Sequence, residues 1–150
     1  MGKYDCLKIE NQLCFPLYAA SKEIVRRYKP VLDRIDLTYT QYIAMMVLWD
    51  KKELNVKELG KALYLDSGTL TPLLKKLESK GFVKRHRSEA DERNLIITIT
   101  DKGMALREEA VRIPSEVGSC IDLDADEAKE LYRLLYKVLG CCEKSASEQS

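Results

Sequence analysis

The chain has 150 residues, of which 45% are apolar and 33% are charged, and its formal net charge is +1. This size and composition predict a single, mainly helical domain, or one subunit of an intertwined oligomer. The chain lacks a run of about 18 apolar residues, and its first residues lack the apolar core of a signal peptide. We therefore expect no membrane association and a cytoplasmic location.

The small net charge conceals an uneven distribution of charge along the chain. Residues 57–88 carry eight basic against three acidic side chains, whereas residues 115–150 carry four basic against eight acidic ones. A basic middle in an otherwise neutral chain indicates a face that binds anions, with nucleic acid as the first candidate.

The cysteine content excludes two classes of small protein. Five cysteines, an odd number, do not form a secreted disulfide framework, and a chain of this length folds without disulfides. Paired Cys-x-x-Cys ligands are missing and His86 is the single histidine, so we expect neither a metal site nor a cofactor. The thiols fit a reducing compartment, where one of them can have a redox role.

The first predicted helix contains a cysteine close to a proline. Pro16 is tolerated only in a first turn, so the helix is predicted to begin near residues 11–13, which puts Cys14 in that turn. Pro30 is predicted to end the helix after about Tyr28. The apolar spacing predicts one buried stripe made of Leu13, Leu17, Ala20, Ile24 and Tyr28.

A central apolar helix over residues 40–49 and a pair of capped helices are predicted next. Asn55 and Glu58 form a capping-box pattern that opens the short helix of the pair. Ser67 is a good N-cap for the longer helix, and Gly81 supplies the left-handed residue that ends it. The longer helix is predicted to bury one leucine face, made of Leu70, Leu73, Leu74 and Leu77.

A β-hairpin and two further helices complete the predicted elements. The runs "FVKRHRS" and "NLIITIT" are β-rich and flank a charged tip, "EADER". A helix begins again near residue 100 or 101 and is interrupted or ended by Pro114. Asp124 and Glu127 repeat the capping-box pattern before the last helix, and residues 144–150 are predicted to form a disordered tail.

The order of elements from residue 36 to residue 100 is that of a winged helix-turn-helix. In this fold the second helix of the pair enters the major groove of DNA, and its N-terminal residues reach bases and phosphates. The hairpin tip places an arginine near the minor groove. We therefore predict a DNA-binding set of Asp66, Ser67, Gly68, Thr69, Thr71, Lys75, Lys76, Arg85, Arg87, Asp91 and Arg93.

Three stretches closely resemble the organic-hydroperoxide regulator (OhrR) branch of the MarR repressors. They are "ENQLCF" with "LYAASKEIVRRYKP", "LTYTQYIAMMVLW", and "LYLDSGTLTPLLKKLESKGFVKRHRSEADERNLIITITDKG". The resemblance covers about residues 7–114. It implies a homodimer of winged-helix subunits that binds a pseudo-palindromic operator, with dimerisation helices at about 7–35 and 101–143 around the DNA-binding region.

The residues alone leave the role of Cys14 open. A free cysteine in a helix is commonly an inert, buried side chain, but the positive end of a helix also favours a reactive thiolate. The resemblance implies that Cys14 is the redox sensor and that Tyr28 and Tyr39 of the other subunit form hydrogen bonds with its sulfur. Tyr18 is a weaker candidate for the same pocket. It also implies organic hydroperoxides as the oxidant.

Oxidised Cys14 has two expected fates within this resemblance. It forms a mixed disulfide with a small thiol, or a disulfide with a resolving cysteine, for which Cys120 is the best candidate. Cys141 and Cys142 are not expected to take part in the reaction.

Two other functions remain open, a MarR-type repressor released by a small aromatic ligand in the dimer cleft and a thiol peroxidase. We expect no enzyme, because no arginine or threonine motif accompanies Cys14 and half the chain is assigned to DNA binding.

Overall fold

The computed structural model describes residues 1–149, with side chains described through residue 144. Two compact units divide the chain, the first from Met1 to Pro114 and the second from Ser115 onward. The helices are α1 Cys14–Asp33, α2 Tyr39–Lys51, α3 Val56–Leu63, α4 Ser67–Ser79, α5 Asp101–Ala105, α6 Arg107–Ala110, α7 Ile113–Gly118 and α8 Ala125–Gln149. The strands are β1 Glu53–Asn55, β2 Val83–Arg87 and β3 Leu95–Ile99.

The first unit has the winged helix-turn-helix architecture that the sequence predicts. Helices α3 and α4 form the helix pair, and β2 and β3 form the antiparallel wing, with Arg85 opposite Ile97. The predicted hairpin is confirmed, but the sheet also has a third strand: β1 pairs with β3, giving the order β1-β3-β2. The sequence did not reveal β1 because three residues carry too little alternation to predict a strand.

The core of the first unit lies between α2, the helix pair and the sheet. The predicted leucine face of α4 is confirmed, since each of its four leucines is at most 6% exposed. Other members of this core, none more than 1% exposed, are Ala44, Met45, Leu48, Leu59, Val83 and Ile97. Helix α4 and the wing therefore pack on the same apolar core.

Helix α1 differs from the prediction at both ends. It begins at Cys14, after two short 3-10 turns, and it continues through Pro30 to Asp33. Proline costs a helix one hydrogen bond and a local displacement. Here the added turn buries Leu32, which is 1% exposed, and this burial offsets that cost.

The apolar stripe predicted for α1 is not buried in the single chain. Leu13 is 85% exposed and Leu17 is 44% exposed, and Leu32 is the helix's buried residue. In the second unit, Leu131, Leu134 and Val138 of α8 are also exposed. The α1 stripe was expected to be buried, and exposed apolar surfaces of this kind are typical of an interface with another molecule.

The remaining expectations concern the C-terminal segment. Asp124 and Glu127 form the predicted reciprocal caps, because each backbone N–H donates to the other's carboxylate. The helix predicted from residue 101 is divided into α5, α6 and the start of α7, and Pro114 is the second residue of α7. The backbone of α8 is helical to Gln149. The side chains of residues 145–150 lie outside the described part of the chain, so the disordered tail predicted for residues 144–150 stays a prediction.

Candidate DNA interface and redox site

Capping side chains at both helix starts define the helix pair. Asn55 and Glu58 form the predicted capping box of α3, with N–H to side-chain oxygen distances of 2.8 and 3.2 Å. Gly60 lies where α3 approaches α4, since a Cβ there would be 2.8 Å from the Leu65 carbonyl oxygen. A side chain at Gly60 would push the two helices apart, so the close approach of α3 and α4 requires glycine at this position.

The N-cap of the recognition helix α4 is Asp66 rather than the predicted Ser67. Its carboxylate accepts a hydrogen bond of 2.7 Å from the Thr69 N–H, and this bond is the main cause that lowers the pKa of Asp66. Asp66 therefore stabilises the N-terminal end of α4, because a carboxylate is a strong cap at the positive end of a helix.

The remaining candidates on α4 form a continuous exposed surface. The hydroxyl of Thr71 donates to the Ser67 carbonyl at 2.9 Å and keeps its acceptor lone pairs for other partners. The buried leucine face holds this surface outward. Exposed along it are Ser67, Gly68, Thr69, Thr71, Lys75 and Lys76.

The wing carries all three arginines of the predicted DNA-binding set, in different surroundings. Arg85 is half-buried, and its guanidinium binds Glu78 of α4 at 3.0 and 3.2 Å, which lowers the pKa of Glu78. Arg85 thus joins the wing to the recognition helix, and its predicted DNA contact stays a prediction. Arg87 is exposed on β2.

Arg93 lies beside Asp91 at the tip of the wing. Its backbone N–H donates to the Asp91 carboxylate at 3.0 Å, and its side chain, 93% exposed, pairs with the same oxygen at 3.4 Å. Asp91 thereby orients an arginine that extends from the tip of the wing.

Cys14 is the first residue of α1 and is exposed. Leu13, the N-cap residue, makes no side-chain capping bond, so the first-turn N–H groups of α1 lack that partner. An uncapped helix start presents backbone N–H groups and partial positive charge to its surroundings. Tyr18, one turn further along, is also exposed, and the Lys22 ammonium lies over its ring, 5.2 Å from the ring centre.

Tyr28 and Tyr39 meet in an aromatic cluster at the other end of α1. Their ring centroids are 4.9 Å apart, and Tyr42 lies 5.8 Å from Tyr28. Tyr42 also contacts Trp49 at 6.3 Å. Burial raises the pKa of Tyr28, Tyr39 and Tyr42, so their hydroxyls stay protonated and able to donate hydrogen bonds at neutral pH.

Cys14 and Tyr28 cannot meet within one chain. They lie fourteen residues apart on the same helix, which at 1.5 Å per residue is a separation of about 21 Å. A single chain therefore keeps the predicted sensor cysteine, Cys14, apart from the predicted sensor tyrosines, Tyr28 and Tyr39.

The other cysteines are exposed as well. Cys120 follows α7 in the loop before α8, and its thiol lies 3.7 Å from the Glu116 carbonyl oxygen. Cys141 and Cys142 lie on α8.

Within the described residues, no group of histidine, cysteine and acidic side chains has the arrangement of a metal site. None of the helices described is long and apolar enough to cross a membrane.

Sequence reasoning missed three residues near these sites. Tyr42 is 3% exposed and belongs to the aromatic cluster, and Gln41 is also 3% exposed. Lys80, after α4, reaches back to Gln41. The Thr38-x-x-Gln41 spacing is a capping-box signal that could have indicated Gln41, but no local pattern indicates the contact with Lys80.

Comparison with known proteins identifies the family. The model of the SarA/Rot transcriptional regulators matches residues 26–110. The organic hydroperoxide resistance transcriptional regulator of Bacillus subtilis (strain 168) is 47% identical over 138 residues, which cover 92% of this chain and 94% of that relative. The chain belongs to the MarR family, in its organic-hydroperoxide regulator branch.

Solved structures of AbfR, from Staphylococcus epidermidis, are similar to this MarR-family chain. Reduced AbfR bound to DNA is 33% identical with a TM-score of 0.80, covering 95% of this chain and 98% of that one. Overoxidised AbfR bound to DNA is 35% identical with a TM-score of 0.77, covering 94% and 99%. Disulfide-formed AbfR is 35% identical with a TM-score of 0.63, covering 95% and 97%. This MarR-family protein is a DNA-binding transcriptional regulator with a winged helix-turn-helix fold.

Proposed function

We propose that this MarR-family regulator is a homodimeric repressor that leaves its operator when organic hydroperoxides oxidise Cys14. The observation that carries the proposal is the division of the sensor site along α1. An exposed thiol occupies one end of the helix, and two half-buried phenols occupy the other, about 21 Å away.

A second copy of the chain completes this site. If α1 of each subunit crosses α1 of the other in antiparallel orientation, each Cys14 lies beside the Tyr28 and Tyr39 of the partner subunit. The exposed apolar side chains of α1, among them Leu13, Phe15 and Leu17, are then covered by the contact. Two equivalent sites follow from the twofold symmetry, as in most homodimers.

The chemistry at Cys14 is a two-electron oxidation. The thiolate attacks the outer oxygen of the hydroperoxide, the O–O bond breaks, and the alkoxide leaves as an alcohol after it takes a proton. The sulfur becomes a sulfenic acid. Phenol hydroxyls of the partner subunit stabilise the thiolate by hydrogen bonds, and the apolar surroundings of Leu13 and Phe15 suit an organic peroxide better than hydrogen peroxide.

Release from DNA is proposed to require a disulfide rather than added oxygen alone. AbfR is described bound to DNA in both its reduced and overoxidised forms, and separately in a disulfide form. In this chain, the sulfenic acid condenses with a second thiol, with loss of water. That thiol is a small cellular thiol or Cys120 of the partner subunit, and either product displaces Cys14 from the tyrosines.

DNA recognition is proposed to use the exposed surface of α4 and the tip of the wing. Ser67, Gly68, Thr69 and Thr71 approach the bases, while Lys75 and Lys76 contact phosphates. Arg93, held by Asp91, enters the adjacent minor groove, and Arg87 contacts the backbone. A pseudo-palindromic operator with half-sites about 34 Å apart matches two such surfaces.

The test uses a fluorescent duplex selected by the reduced protein from a random-sequence pool. The wild-type protein should bind it, leave it after treatment with cumene hydroperoxide and a small thiol, and bind again after dithiothreitol. Cys14→Ser should bind as the reduced wild type does and stay bound after treatment, whereas the matched control Cys142→Ser should behave as wild type. Release of Cys14→Ser by the oxidant would contradict the assignment.

A second candidate function rests on a cavity of about 250 Å³ beside the aromatic cluster. Tyr42, Met46 and Trp49 supply apolar walls and Arg107 supplies a cation, which suits a small aromatic acid. In this alternative the ligand, not oxidation, releases DNA. Salicylate that dissociates the Cys14→Ser protein from the selected duplex at unchanged redox state would favour it.

A further inference from the structure

The corner between α1 and α2 is a closely bonded segment next to the sensor tyrosines. Asp36 has a φ of +54°, and the N–H of Leu37 donates to the Leu32 carbonyl at 3.2 Å, which ends α1 in a Schellman turn. Thr38 then caps α2 reciprocally with Gln41, at 3.3 and 3.1 Å. Tyr39 lies between these two capping residues, so a displacement of its ring acts directly on the capping box.

Lys80 connects this corner to the C-terminal end of the recognition helix. Its ammonium donates to the Asp36 carbonyl oxygen at 2.5 Å and to the Gln41 side-chain oxygen at 3.2 Å. Lys80 is also the C-cap residue of α4, and its N–H donates to the Lys76 carbonyl at 3.1 Å. The link therefore has one end in the backbone of α4 and the other at the residues that flank Tyr39.

The link is directional and partly shielded from water. The Lys80 side chain is 25% exposed and Gln41 is 3% exposed, so their bond is screened less than a surface ion pair. The Asp36 carboxylate lies further away, at 3.5 Å, and is 82% exposed. The polar connection thus runs mainly to the Asp36 carbonyl and to the Gln41 side chain.

We propose that Lys80 is a positioning residue that transmits the state of the sensor tyrosines to the recognition helix. This inference rests on the function proposed above. When oxidised Cys14 leaves Tyr39 of the partner subunit, the capping box shifts. The ammonium carries the C-terminal end of α4 with it, and α4 turns about its buried leucine face. A continuous chain of hydrogen bonds between two elements is the kind of connection that carries such coupling.

The experiment measures the dissociation constant for the selected duplex before and after oxidation, and the ratio of the two is the coupling. Wild type should show a ratio within the usual range of about 5- to 150-fold. Lys80→Met keeps the apolar stem but removes the ammonium, and its ratio should fall close to 1. Lys80→Arg keeps the donors and should restore most of the ratio, which a purely structural role of the side chain would not require.

Two matched controls separate charge from connection. Lys51→Met removes an exposed ammonium at the end of α2 and should leave the ratio unchanged. Asp36→Asn tolerates the left-handed backbone and removes only the carboxylate, so it should also behave as wild type, because the bond of interest goes to the carbonyl. Loss of coupling in either control would overturn the specific role of Lys80.

The outcomes distinguish this inference from the proposed function. A wild-type ratio of 1 refutes the redox function itself and the inference with it. A responsive wild type with an equally responsive Lys80→Met refutes the inference alone. If Lys80→Met does not fold, hydrogen exchange of the wild type decides instead: oxidation should increase exchange in residues 38–41 and 76–81 together, and an increase confined to 38–41 would overturn the proposal.

Discussion

Replacement of Gly103 by alanine tests how the winged helix is joined to the helices that follow it. Gly103 lies in the first turn of α5 and is buried. A Cβ at this position would lie 2.2 Å from the Phe82 carbonyl oxygen and 2.9 Å from Ile99 Cγ1. Real Cβ contacts essentially never fall below 3.0 Å, so Phe82 and Gly103 must separate by at least about 0.8 Å.

Two opposing effects decide the sign of the stability change. Alanine is favoured over glycine within a helix by about 1 kcal/mol. Overpacking a well-packed site costs about 1–3 kcal/mol, occasionally more. The clashing oxygen belongs to the backbone and already accepts the Thr100 N–H at 3.0 Å, so it cannot move aside as a flexible side chain would. The cost should therefore lie at the upper end of that range, about 3 kcal/mol. After subtraction of the helix preference of about 1 kcal/mol, we expect Gly103→Ala to lower the free energy of unfolding by about 2 kcal/mol.

The assay is urea unfolding followed by intrinsic fluorescence at a fixed protein concentration. Trp49, the single tryptophan in the chain, donates its indole N–H to the Gly103 carbonyl at 2.9 Å and so reports the displaced site directly. Gly118→Ala is the matched control, because a Cβ at Gly118 meets nothing within 4 Å. It should unfold at the same or a higher urea concentration. A Gly103→Ala protein as stable as wild type would refute the close approach.

Two other predictions concern DNA affinity and pH. Lys75→Ala should weaken binding by a similar factor on all duplexes and reduce the slope of log K against log salt by about 0.9 per lost phosphate contact, whereas the exposed Lys129→Ala of α8 should not; an unchanged slope would place Lys75 away from the phosphates. Because burial raises the pKa of Tyr42 above 10.0, its stabilising contribution is present below about pH 10 and is lost as pH rises through the raised value. Urea unfolding at pH 8 and pH 11 should therefore show a smaller loss of stability for Tyr42→Phe than for wild type, and equal losses would show that Tyr42 titrates as an exposed phenol.

Features set by neighbouring residues were predictable from the sequence. The capping boxes at Asn55–Glu58 and Asp124–Glu127, the turn at Gly81 and the leucine face of α4 all depend on spacings of three or four residues. The same reasoning misplaced the cap of α4 by one residue, because Asp66 and Ser67 are both good caps. It also ended α1 at Pro30, since the burial of Leu32 is a tertiary effect that a local rule does not include.

Features set by distant residues were not predictable in this way. Strand β1 exists because β3, more than forty residues later, pairs with it. Lys80 and Gln41 are 39 residues apart, and only the fold brings them together. Exposure does not single out Cys14 either, because all five cysteines are exposed in the single chain. The sensor assignment came from the family resemblance. In the proposed function, the separation of Cys14 from Tyr28 along α1 is the reason that a second subunit completes the site.

Peptide mapping after limited oxidation tests the central claim most directly. The reduced protein is treated with one equivalent of cumene hydroperoxide per chain, with and without a small thiol, and the occupancy of each cysteine is measured by mass spectrometry. If the tyrosines of a partner subunit activate Cys14, this residue should carry most of the oxidation, as sulfenic acid alone and as a disulfide when a second thiol is available. Equal modification of Cys6, Cys14, Cys120, Cys141 and Cys142, or an unmodified Cys14, would contradict the account.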